Sequence, residues 1–72
     1  MPAIRFPLQG DYIELNQLLK VAGICDSGGA GKMLVAEGLV TVDGEIESRK
    51  TAKIRAGQVV ECAGQRIEVV GG

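Results

Sequence analysis

Gly38-Leu39-Val40-Thr41-Val42-Asp43-Gly44 is the stretch on which the fold turns. Val40 and Val42 alternate with Thr41, the period of a strand with one buried face. Asp43-Gly44 then supplies two residues that tolerate the positive backbone angles of a tight hairpin turn. Ile46 returns on the partner strand. Ahead of the strand, Gly38 suits the position just beyond the C-terminus of a helix. Together these residues predict a helix running directly into a β-hairpin.

Working upstream, Ser27 is the expected N-cap of that helix, with Ala30, Met33 and Leu34 facing the core. Before it, Leu15, Leu18, Leu19 and Ala22 follow the i, i+3, i+4, i+7 spacing of an amphipathic helix, which Gly23 can end in a left-handed conformation. Asn16, at the start of this run, is preferred to Asp11 as its cap. At the N-terminus Ile4, Phe6 and Leu8 alternate with Arg5, Pro7 and Gln9, and Pro7 marks an edge strand.

Downstream, Glu47 to Ala52 is apolar only at Ala52 and reads as a solvated connection. Ala56-Gly57-Gln58 and Ala63-Gly64-Gln65 are expected turns, with strands at Val59 to Cys62 and Arg66 to Val70. A strand, two adjacent helices and several short strands imply an α+β domain with its helices on one face of a small sheet.

A chain of 72 residues holds one hydrophobic core, so residues 1–72 are expected to form a single domain. Its apolar runs fall short of the roughly 18 residues that span a bilayer, and its N-terminus lacks a leader pattern. A cytoplasmic protein without a membrane partner is expected. Cys25 and Cys62 lack metal-ligand spacing and read as small apolar residues in preference to a disulfide. With no histidine and no cysteine beside a base, the chain offers little for catalysis. Glu45 and Glu47, two apart, fit a solvated strand face better than a catalytic dyad.

The net charge of −1 argues against a polyanionic partner, but its distribution does not. Arg49, Lys50, Lys53 and Arg55 fall within seven positions without an acidic residue among them. A solvated charged loop and a phosphate-contacting stripe both account for them. Arg5, Lys20 and Arg66 are isolated and keep their surfaces soluble.

Ser27-Gly28-Gly29-Ala30-Gly31-Lys32 resembles part of a phosphate-binding loop, yet Asp26 stands where its first glycine belongs and Met33 where its magnesium-binding hydroxyl belongs. A dinucleotide-binding pattern fails at Leu34. Three glycines in a first helical turn still require a cause. Close packing is one; close approach of a ligand to free N–H groups, with Lys32 one turn on, is the other. Only Phe6 and Tyr12 could stack on bases, and Phe6 follows a core-facing pattern. An RNA partner would therefore be recognised through backbone geometry and shape.

From Leu15 to Val60 the chain resembles the alpha-L-motif RNA-binding domain, first known from small-subunit ribosomal protein four and found in pseudouridine synthases and tyrosyl-tRNA synthetases. The segment Gly38 to Gly44 is similar to the family's Gly-x-Val-x-Val-Asn-Gly, and Gly57 follows at the usual distance. Gly28-Gly29 and Arg49-Lys50 are similar to small single-domain bacterial members. The resemblance implies an α+β fold in which two N-terminal helices pack on a small, bent, mostly antiparallel sheet, with a family-like core at 15–60 and flanking strands at 4–8 and 66–70.

It also implies an RNA surface with Ser27, Gly28 and Lys32 in one patch and Arg49, Lys50 and Lys53 in another. Gly29 and Arg55 complete the candidate set on the residue reading. Gly28 stands where many members carry arginine, and Asp43 replaces the common asparagine. The expectation is a monomeric, non-catalytic module without cofactor or metal. It would dock on structured RNA of the ribosomal or transfer class, with the ribosome or another ribonucleoprotein as one setting. The alternative is a protein-docking module of the same fold with little RNA affinity.

Overall fold

The computed structural model describes residues 3–71. Strands β1 (Ala3–Leu8) and β2 (Ile13–Glu14) come first, followed by helices α1 (Leu15–Val21) and α2 (Gly28–Ala36). Five strands follow: β3 (Val40–Val42), β4 (Glu45–Ile46), β5 (Lys53–Ile54), β6 (Val59–Cys62) and β7 (Gln65–Gly71). The main sheet has the order β1-β7-β6-β3-β4, while β2 and β5 form a separate antiparallel ribbon. One correction to the expected fold follows: strands, not helices, lead the chain. The sheet is mostly antiparallel, as expected, and mixed through the parallel pairing of β1 with β7.

The alternation read from the sequence explains which face is buried. Leu8, Val40, Val60, Cys62, Ile67 and Val69 point into the core, where Leu15, Leu18 and Leu19 of α1 and Val35 of α2 meet them. Arg5, Glu61, Arg66 and Thr41 occupy the alternate positions and leave the other face polar, as befits a mostly antiparallel sheet covered on one side. Pro7 is accommodated because β1 is an edge strand. On the solvated face Glu68 lies 3.8 Å from Arg5 and 3.9 Å from Arg66, so both of these cations have a carboxylate beside them.

The predicted punctuation is present. Ser27 Oγ accepts the Ala30 N–H at 3.1 Å, the N-cap bond of α2. Asp43 and Gly44 have φ of 52° and 87°, as the hairpin turn requires. Asp43 does more than turn the chain, because its Oδ1 accepts the Val59 N–H at 2.9 Å and ties the hairpin to β6.

Both helices end in the same way. Ile24 N–H reaches Leu19 O and Gly23 N–H reaches Lys20 O after α1; Leu39 and Gly38 repeat the pattern on Leu34 and Val35 after α2. Each is a two-bond C-terminal motif that needs a left-handed residue, supplied by Gly23 and Gly38.

Three local expectations are corrected. Asn16 is not a cap: it is 3% exposed inside α1, whose N-cap residue Glu14 makes no capping bond through its side chain. The first N–H groups of α1 are met instead by the connection, Leu15 donating to Ala52 O at 2.8 Å and Asn16 to Lys50 O at 3.2 Å. That connection is therefore not merely solvated, and Ala52 within it is buried. On α2, Gly31 and Val35 take the core-facing stripe, Leu34 and Ala30 are half-buried, and Met33 is 65% exposed. Met33 to Ala36 is an unbroken apolar run, so periodicity could not fix the rotation of the helix; close approach at Gly31 does. Cys62 is buried and Cys25 half-buried, both as free thiols, and burial together with neighbouring Cys25 pushes the Cys62 thiol up.

Candidate functional site

The glycine-rich turn contains three different glycines. A Cβ on Gly31 would come 2.7 Å from the backbone oxygen of Asn16, a distance at which the helices must move apart. A Cβ on Gly28 would meet only side-chain amides, Gln17 Nε2 at 3.0 Å and Asn16 Nδ2 at 3.3 Å. On Gly29 it would meet nothing nearer than Ser27 Oγ at 3.9 Å. Packing therefore explains Gly31, partly explains Gly28 and does not explain Gly29. The hydrogen bonds of this turn engage the Ala30 and Gly31 N–H groups. Among the described residues no bond takes the N–H of half-buried Gly28 or exposed Gly29, so two donors are left unpaired at the positive end of α2. Lys32, exposed, stands one turn further along the helix from Gly28.

The second patch meets the first at α1. Lys50 O accepts the Asn16 N–H, while Asn16 O is the atom against which Gly31 packs. The glycine turn and the basic segment thus flank one residue, Asn16, whose Oδ1 is buried without a partner among the described residues. The expectation of Asn16 as a cap misses this role, for which a polar residue at the second position of an apolar helix is the sequence signal.

The four cations of the stripe are not equivalent. Arg49 is held by Glu47 through a two-pronged contact, Nε to Oε2 at 3.1 Å and Nη2 to Oε1 at 3.0 Å, with its own backbone N–H also on Oε2 at 2.9 Å. These bonds, the side-chain pair above all, hold the Glu47 carboxyl at about 2, below its ordinary 4.5, and raise the Arg49 guanidinium. Because the folded value is depressed, the pair contributes fully above about 4.5, progressively less below it, and nothing once pH has fallen through about 2. β4 ends at Ile46, so Glu45 and Glu47 do not share a strand face as expected. No acidic residue lies within the stripe, but the one immediately before it neutralises its first cation.

Lys50 is exposed, as are Lys53 and Arg55 on the β2–β5 ribbon. There the Lys53 Nζ and Arg55 Cζ lie 5.0 and 5.8 Å from the centroid of the Tyr12 ring. Ser27, Gly28, Gly29, Lys32 and Lys50 are therefore grouped around the facing ends of α1 and α2, whereas Lys53 and Arg55 are gathered with Tyr12 on the adjoining ribbon. No group of three or more metal-ligating side chains occurs among the described residues. No helix among them is long and apolar enough to cross a membrane.

The family model described as S4 domain matches residues 6–70. The chain belongs to the S4 domain family. This S4 domain is 49% identical over 59 residues to YbcJ of Escherichia coli (strain K12), covering 82% of this chain and 84% of YbcJ. It is 39% identical over 54 residues to a Bacillus subtilis protein named "Probable ribosome maturation protein RlbA", covering 75% of this chain and 76% of that one. A tyrosine–tRNA ligase of Ralstonia nicotianae is 39% identical over 59 residues, but these make up only 15% of that enzyme.

The solution structure of YbcJ, described as an αL motif involved in RNA binding, superposes with a TM-score of 0.75 at 43% identity, over 99% of this chain and 91% of that one. The S4 domain match at residues 6–70 takes in parts of both β1 and β7, neighbours in the main sheet.

Proposed function

We propose that this S4 domain is a non-catalytic RNA-binding module that docks structured RNA of the ribosomal or transfer class. The reading is carried by the meeting of two anion-friendly patches at Asn16: the open N–H groups of Gly28 and Gly29 with Lys32, and the Lys50 end of the basic stripe. Backbone donors beside lysines suit phosphates, and a rigid pair of helices fixes the spacing at which phosphates can be met. The same reading is supported by the RNA-binding description of the YbcJ structure and by the ribosome maturation name of the RlbA relative. Ser27 acts through the helix start that it caps, and Lys53 and Arg55 extend the surface along the ribbon. The module is taken to act in the cytoplasm as a monomer.

The Arg49–Glu47 pair favours one rival, a protein-docking module with little RNA affinity, because it removes a cation from a protein already at −1. The salt dependence of binding to a folded ribosomal RNA fragment separates the two. With Lys32, Lys50 and Lys53 each neutralising a phosphate, log affinity is expected to fall against log salt with a slope of roughly −2 to −3. A flat response, or a purified protein free of nucleic acid before any high-salt wash, selects protein docking.

A further inference from the structure

The β2–β5 ribbon carries a cluster that the surface around Asn16 does not use. Its register pairs Ile13 with Ile54 on the inward side and Glu14 with Lys53 on the outward side. The two-residue alternation then brings Tyr12 and Arg55 to the outward side as well. Lys53 Nζ and Arg55 Cζ approach the Tyr12 ring to 5.0 and 5.8 Å, and Arg55 Nη1 donates to Asp11 O at 3.4 Å. Glu14 stands across from Lys53, yet no ion pair joins them among the described residues, so the ammonium is directed to the ring.

Tyr12 is outside the hydrophobic core and 43% exposed. Beside its ring lies a shallow depression of about 360 Å³ lined by Phe6, Pro7, Leu8, Gln9, Tyr12 and Ile13. That is the small end of the range for ligand-binding clefts, suited to a single planar group. An exposed aromatic ring, an apolar hollow and two cations within reach are the elements of a nucleotide contact: a face for the base and charges for the phosphates on either side.

We propose that Tyr12, Lys53 and Arg55 form a subsite for one unpaired nucleotide projecting from the folded RNA. The proposal rests on the RNA reading above and refines it. One ring stacks one base, so the subsite selects a bulged or flipped-out nucleotide, while the patches at Asn16 follow the backbone of the paired region. Stacking thus has a defined and local role beside recognition of backbone shape.

The test uses two RNA hairpins identical except for a single 2-aminopurine bulge in one stem. The wild-type protein is expected to bind the bulged hairpin about tenfold more tightly and to quench its fluorescence, the scale of one stacked base. Tyr12→Leu removes both the preference and the quenching while the affinity for the fully paired hairpin stays within about twofold. Tyr12→Phe retains them, since the ring and not the hydroxyl does the stacking. Thermal melting of the leucine variant checks that it folds, and the phenylalanine variant supplies the folded reference. Equal losses on both hairpins would mean that the ring only positions its cations, and a preference surviving Tyr12→Leu would remove the ring altogether; either overturns the subsite and leaves the RNA reading standing. Wild-type protein that binds neither hairpin at low salt overturns both.

Discussion

The first turn of α2 and the segment from Glu47 to Arg55 arrive at one surface by opposite means. The helix turn offers backbone: Gly28 and Gly29 carry no side chain to shield their N–H groups, and their position is fixed from beneath by Gly31 against Asn16. The segment offers side chains: its carbonyls at Lys50 and Ala52 are committed inward to α1, and its cations extend outward. In one region the side-chain atom that is missing determines the geometry; in the other the backbone is spent on structure and charge is left for the ligand. The difference teaches that stability and binding should separate by region.

The sharpest break would come from Lys50→Glu with Lys53→Glu. On the order of a hundredfold loss of affinity for folded RNA is expected, at ~1.5 kcal/mol for each charge-assisted contact removed, with the melting temperature lowered only slightly by the second carboxylate set opposite Glu14. Anisotropy titration and thermal melting measure the two arms, and intact affinity would exclude the segment. Next, Gly31→Ala forces a Cβ onto a backbone oxygen. It is expected to cost about 1 to 3 kcal/mol in chemical denaturation, because neither helix can yield without opening the core. A neutral result would show that α1 and α2 are not as closely packed as the Gly31–Asn16 contact requires.

Glu47→Gln is expected to raise affinity severalfold and to steepen the salt slope by about 0.7 to 0.9 as Arg49 becomes available to a phosphate. An unchanged slope would show that Arg49 faces away from the RNA whether paired or not. The smallest effect is assigned to Gly29→Ala. Its Cβ makes only an ordinary van der Waals contact, with Ser27 Oγ at 3.9 Å, so stability should hold or rise by up to ~1 kcal/mol while RNA affinity per folded molecule drops. Loss of stability here would return this glycine to the packing account.

Where local chemistry determined the structure, the sequence was sufficient. Asp43-Gly44 can hardly adopt anything but a left-handed turn, and Ser27, Gly23 and Gly38 each satisfy helix-end groups from within a few residues. What escaped was set by distant partners. Asn16 looked like a cap because nothing in its neighbourhood reveals that carbonyls more than thirty positions away, at Lys50 and Ala52, meet the start of α1. Met33 and Val35 exchanged places because an apolar run has no preferred rotation until another helix presses on it. At the candidate site the residue types were legible, whereas the Glu47–Arg49 contact and the cations over Tyr12 depend on rotamers and on strand register. Glu47, two residues before Arg49, was the one clue present in the sequence.

The parallel pairing of β1 with β7 bears on how the chain reaches this structure. Ile4 lies beside Ile67, so the edge of the sheet closes a loop of roughly sixty residues, an entropic cost that local hairpins and helices do not face. The helix pair and the β3–β4 turn can form while the rest of the chain is unstructured, but β1 has no neighbour until the last strand exists. During synthesis it must therefore wait as an unpaired strand, and Pro7 within it removes one donor that would recruit a wrong partner. In refolding, substitutions in β1 should act mainly on the unfolding rate, and those at Leu18 or Leu19 on the folding rate, as befits contacts made late and early on the way to the native state.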